Sequence, residues 1–239
     1  MPYYYYGFDW TYLVIVLPCL ILSMLASSSV NSTFNKYAKV NSIRRLTGAE
    51  AAQRVLSANG VRGVRIERVS GNLTDHYDPM TYVIRLSDSV YGSTSVAAIG
   101  VAAHEAGHAV QYAQNYGPIK VRAAIIPITN LGSKLAMPLI LAGILLSFLG
   151  TFSNTLVYLG ILAFSLSIVF QLVTLPVEFN ASRRAMEAIE TAGLLTHEEQ
   201  QGARKTLKAA AMTYVAATAV AVAQVVRLLV LFGGRRRRD

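Results

Sequence analysis

The sequence predicts a mainly α integral membrane protein, with about four transmembrane helices and a small α+β domain built around one His-Glu-x-x-His helix. Three observations predict it. Of 239 residues, 53% are hydrophobic and only 15% charged, and the mean hydropathy is +0.40, which is too apolar for an ordinary soluble domain. The apolar residues gather in runs long enough to cross a bilayer. One segment, "VAAHEAGHAV", sets two of the four histidines and a glutamate into small, apolar surroundings.

The first run, residues 11–30, holds 20 uncharged residues and reads as a retained anchor, since no basic start or cleavage pattern precedes it. The tyrosines and tryptophan of "MPYYYYGFDW" suit a membrane interface. Residues 31–134 form the polar region. In it "LTGAEAAQRVLSANG" reads as a helix, with Thr47 as N-cap, Glu50 at capping-box spacing and Gly60 closing it. "VRIERV" and "TYVIRLS" alternate as strands around the turn-rich "GNLTDHYDP". The motif helix is expected over residues 94–115, ending before Gly117-Pro118.

Residues 135–177 carry no charge and read as a membrane hairpin turning near "GTFSN". Residues 178–208 continue past Pro176 into a polar helical segment, with Thr196 and Glu199 at capping spacing. Residues 209–231 form the fourth span, with Arg227 able to snorkel, and 232–239 are a basic tail. The single cysteine, Cys19, excludes an intramolecular disulfide and a cysteine metal site. The net charge of +9 flanks the apolar runs, so lipid head groups explain it, and no nucleic-acid motif is present.

On a helix, His104 and His108 share a face and can point two imidazoles at one ion, with Glu105 a quarter-turn away. This is the arrangement of zinc hydrolases. Zinc lowers the pKa of a bound water, and Glu105 can take its proton. A third ligand is needed. Glu178 directly follows a span and has small neighbours at Ala181, Ser182 and Ala185, which allow close packing against the motif helix. The alternatives are an interfacial Glu178 paired with Arg183 or Arg184, and His197 as the ligand. In "TDHYDP", His76 or Tyr77 could donate to an oxyanion, or the segment is simply a turn at Asp78-Pro79. The edge of the "TYVIRL" strand would then be open to an extended peptide.

The blocks "LTDHYDP", "LSDSVY", "SVAAIGVAAHEAGHAVQYA" and "LPVEFNASRRA" resemble the YugP-type membrane zinc metallopeptidases of bacterial membranes, over most of the chain. The resemblance implies a gluzincin-like metallopeptidase domain holding one Zn2+ per chain. His104, His108 and Glu178 would be the ligands and Glu105 the general base. The last block is also similar to the Glu-Phe-x-Ala-Asp motif of the HtpX and CAAX-protease metallopeptidases, with Ser182 in place of the aspartate. Asn180 or Ser182 is then the candidate to orient a ligand histidine.

The expected activity is peptide-bond hydrolysis near the membrane surface, with a peptide or membrane-protein substrate and the lipid bilayer as partners. A site-2-type intramembrane protease would need an aspartate ligand in a later span, and the chain has none between Asp88 and Asp239. A non-catalytic metal-binding scaffold would not need Glu105. Lysine and arginine crowd the segments that carry the motif residues, which places the site on the cytoplasmic side of the cell membrane. The arginines of the tail argue the other way.

Overall fold

The structure, a computed structural model, describes residues 9–233. The chain is mostly helical, with six α-helices and one small sheet among the described residues. Four helices are long and apolar enough to cross a membrane: Tyr12–Tyr37, Gly117–Leu145, Thr151–Thr191 and His197–Gly233. The expected aromatic belt at the N-terminus falls largely, and the basic tail almost entirely, outside the described residues.

The chain divides into two compact units. The first comprises the described residues of Met1–Leu25, Arg122–Val173 and Tyr214–Asp239. It contains the start of α1 (Leu17–Tyr37), which a π-helical turn over Tyr12–Val16 precedes. It also contains most of α4 (Gly117–Leu145), the first half of α5 (Thr151–Thr191) and the end of α6 (His197–Gly233). The hairpin turn lies at Ser147–Leu149, with Gly150 at φ 55° just before α5.

Glycines let α4 and α5 approach. A Cβ on Gly143 would stand 2.8 Å from the Ser153 carbonyl oxygen, and one on Gly160 2.8 Å from that of Ala136. Close backbone contact is how helices associate where lipid removes the hydrophobic drive. Ser153 donates to the Gly143 carbonyl at 2.6 Å, a hydrogen bond between the two helices. Pro127, Pro138 and Pro176 lie inside these helices without ending them. Arg227 does not merely snorkel: its guanidinium donates to Asp9 and lies 5.3 Å from the ring centroid of Tyr12.

The second unit comprises Ala26–Val121 and Thr174–Thr213. Helix α2 (Gly48–Ala58) starts with the expected capping box: Glu50 N–H donates to Thr47 Oγ1 at 3.2 Å and Thr47 N–H to Glu50 Oε2 at 2.8 Å. Gly60 follows at φ 67°. The sheet has the order β1-β3-β2, from β1 (Arg65–Val69), β2 (His76–Asp78) and β3 (Val83–Ser87). β3 is parallel to β1 and antiparallel to β2.

This corrects the expectation of a peptide-accepting edge on "TYVIRL", because β3 is the central strand and both its edges are taken. β2, three residues inside an expected loop, is too short for alternation to reveal. Helix α3 (Val96–Ala113) is N-capped by Ser95, whose Oγ accepts from Ala98 N–H at 3.2 Å. The core joins Val55, Leu56, Ile84, Leu86, Ile99 and Ile189, drawn from α2, β3, α3 and α5.

α6 begins with Thr196 and Glu199 in the expected cap, and Glu199 Oε1 also accepts from Ile43 N–H at 2.7 Å. It then runs unbroken through the expected fourth span.

Candidate metal centre

The site lies in the second unit, between α3 and the C-terminal half of α5. Gly107, between the two histidines, makes the approach possible: a Cβ there would stand 2.8 Å from the Ala181 carbonyl oxygen. Ala102, Ala103, Ala106 and Ala109 on α3, and Ala181 and Ala185 on α5, are all buried. Small side chains thus bring the α5 backbone close to the face that carries His104 and His108.

Glu178, 2% exposed, reaches from α5 to both histidines. Its Oε2 lies 3.3 Å from His104 Nε2 and 3.5 Å from His108 Nε2. The two imidazole rings stand edge to face, 4.7 Å apart. The three donor atoms all lie within 4.8 Å of one another, the grouping among the described residues suited to hold a metal ion. Zinc–nitrogen and zinc–oxygen bonds of about 2.0–2.2 Å, directed tetrahedrally, put ligand atoms about 3.3–3.6 Å apart. The spacing fits such an ion.

The outer nitrogens are occupied. His104 Nδ1 lies 3.2 Å from Ser182 Oγ, and His108 Nδ1 3.0 Å from Gln111 Oε1. Where Nδ1 donates in such a bond, the Nε2 lone pair is left facing inward, as a metal ligand requires. Burial opposes a charge on His108, but the hydrogen bond to Glu178 and the fields of Glu105 and Glu178 outweigh it and hold its proton affinity above the ordinary histidine value. The same negative field also attracts a divalent cation.

Of the alternatives for Glu178, neither arginine takes it: Arg183 pairs with Glu187, and Arg184 donates to Asn180 and Gln114. His197 opens α6, exposed. Glu105, 9% exposed, is buried close enough for its charge to act on His108. Ser182 contacts His104 directly, whereas Asn180 reaches His108 only through Gln111.

Tyr77 and His76 part company on β2, as alternate strand residues do. Tyr77 packs its ring 5.6 Å from that of Tyr112, one turn beyond His108 on α3. Burial, with smaller contributions from Tyr82, Tyr112 and Asp78, pushes its hydroxyl up to about 12. His76 is exposed, and its Nδ1 lies 2.9 Å from the Thr74 carbonyl oxygen. Asp78 is more than a turn residue: it accepts from Met80 N–H, Thr81 Oγ1 and Arg85, which draws its carboxyl well below the usual range. Sequence reasoning missed Gln111, although an amide three residues past His108 on a small-sided helix was a signal.

Membrane-length helices and a His-His-Glu set spaced to hold a metal ion are the features a membrane zinc peptidase would present. The comparison with known proteins agrees: residues 12–233 match the family described as "Putative neutral zinc metallopeptidase", and the chain belongs to that family. It is 45% identical over 221 residues to the "Putative membrane protease YugP" of Bacillus subtilis (strain 168), covering 92% of this chain and 96% of the relative. No solved structure matches.

Proposed function

We propose that the chain is a membrane-embedded zinc metalloendopeptidase that hydrolyses peptide bonds near the membrane surface. The observation that carries this reading is the convergence of two Nε2 atoms on one buried carboxylate oxygen, at 3.3 and 3.5 Å, with both Nδ1 atoms engaged elsewhere. Two imidazole nitrogens and a carboxylate oxygen held this way are a donor set that a divalent cation can occupy.

When bound, the zinc ion supplies an acidified water and polarises the scissile carbonyl. His104, His108 and Glu178 hold it. Glu105 takes the proton of the attacking water at its carboxylate and passes it to the leaving amine. Tyr77, protonated across the neutral range because its hydroxyl ionises only at about 12, can donate to the developing oxyanion.

α5, at 41 residues, is about 60 Å long, twice a bilayer core of about 30 Å. It therefore has length enough both to span and to present Glu178 beyond the span. This favours juxtamembrane peptide as substrate, and the Bacillus subtilis relative favours a bacterial cell membrane as location. Lys36, Lys39, Lys120, Arg183, Arg184, Arg204 and Lys208 flank the spans within the segments that carry the site residues, which favours a cytoplasmic site. A protease-accessible tag at residue 60 in sealed cells, cleaved from outside, would refute that orientation.

The test of the activity is Glu105→Gln. It is expected to keep zinc and lose hydrolysis; full activity in that variant would sink the mechanism. A site-2-type protease is disfavoured because the third donor is a glutamate. An inert scaffold is disfavoured because the buried Glu105 costs desolvation that metal binding alone does not require.

A further inference from the structure

We propose that Gln111 is the positioning residue that fixes which nitrogen of His108 faces the metal, and that Asn180 and Arg184 act through it. The proposal rests on the zinc reading of the site. The Gln111 side chain is completely buried on α3. Its Nε2 lies 2.8 Å from the Val177 carbonyl oxygen and 2.9 Å from Asn180 Oδ1, and its Oε1 lies 3.0 Å from His108 Nδ1.

The direction of each bond follows from chemistry. The Val177 carbonyl can only accept. Arg184 Nε can only donate, and it lies 2.7 Å from the same Asn180 oxygen, so Asn180 must present its oxygen there. The Gln111 amide nitrogen thus sits between two acceptors and spends both its protons on them. Turning the amide over would set Oε1 against both acceptors and forfeit two buried hydrogen bonds. The Gln111 oxygen therefore faces His108, Nδ1 carries the proton, and the Nε2 lone pair is left for the ion.

His104 lacks this constraint, because the Ser182 hydroxyl can donate or accept. An amide relay ending in a donor-only guanidinium thus does for His108 what a carboxylate does elsewhere. It does so without adding a negative charge to a site that already holds Glu105 and Glu178.

Zinc affinity of the full-length protein in detergent, measured by chelator competition, tests this. Gln111→Met, which keeps the volume and removes the amide, is expected to weaken zinc about 10–100-fold. Asn180→Leu should weaken zinc in the wild-type background and have no further effect with Gln111→Met, whereas a packing role would make the two losses additive.

If Gln111→Met does not fold, half-buried Asn180 carries the test: Asn180→Asp retains the acceptor and zinc, Asn180→Leu loses affinity. Wild-type affinity in Gln111→Met, additive losses, or equal zinc binding by the two Asn180 variants would overturn the proposal. His108→Ala separates the two levels of argument. If it loses zinc while Gln111→Met does not, only the role of Gln111 fails; if it keeps stoichiometric zinc, the metal reading and the relay fail together.

Discussion

Gly107 of α3 and Ala181 of α5 touch backbone to backbone: the position of a Cβ on Gly107 is 2.8 Å from the Ala181 carbonyl oxygen. The obstacle is main chain, which cannot rotate away. Gly107→Ala therefore has to separate the helices, and with them Glu178 from His104 and His108. The expected outcome is a loss of about 1–3 kcal/mol in stability and a larger loss of zinc affinity. Thermal unfolding and metal content of the purified variant check it.

Glu178→Ala is expected to lose most of the metal and all hydrolysis, while His197→Ala keeps both. Glu178 lies at ligand distance from both histidines, whereas His197 stands exposed at the start of α6. Zinc content of the two variants decides. Stoichiometric zinc in Glu178→Ala and none in His197→Ala would reverse the assignment.

Asp78 ties the β2–β3 turn through Met80 N–H at 2.9 Å, Thr81 Oγ1 at 2.6 Å and Arg85 at 3.0 Å. These bonds favour the ionised carboxylate and depress its folded pKa. Such a group contributes stability above its unfolded pKa of about 4, and loses it as pH falls from there through the lower folded value. Asp78→Asn should be less stable than wild type at pH 7, and the difference should shrink below about pH 4. Denaturant unfolding at both pH values measures it; a difference that grows on acidification would contradict the assignment.

Asp9 and Arg227 form a part-buried ion pair within the first unit, flanked by Thr11 and Tyr12. Removing one partner strands the other charge, whereas removing both does not. Asp9→Asn is therefore expected to lower the yield and melting temperature of the detergent-purified protein, and Asp9→Asn with Arg227→Met should recover much of the loss. A double variant worse than the single would show that the pair is not a unit.

Much of this was legible because the signals were local. The α2 cap at Thr47 and Glu50, the α6 cap at Thr196 and Glu199, and the i, i+4 histidines each need only a few residues of sequence. The small residues near Glu178 gave a physical reason to expect close packing with α3. The sheet was harder. β2 has three residues, and its partnership with β3 depends on the turn chemistry of Asp78 rather than on any pattern. Gln111 was missed because its importance lies in two acceptors, Val177 and Asn180, that are 66 and 69 residues away. Asp9 was passed over for a similar reason, since its partner is 218 residues distant.

Within five residues of α5 lie Glu178, Asn180 and Ser182, so one helix supplies a metal donor and the partners through which both histidines are oriented. During synthesis His104, Glu105 and His108 leave the ribosome some 70 residues before Glu178 does. Until α5 has been made and docked, the nascent chain has two loosely turned imidazoles and no third donor. Under the proposed function, a chain assembled in this order is inert while it is being built, and becomes competent to cut only after the hairpin between its two half-sites is complete.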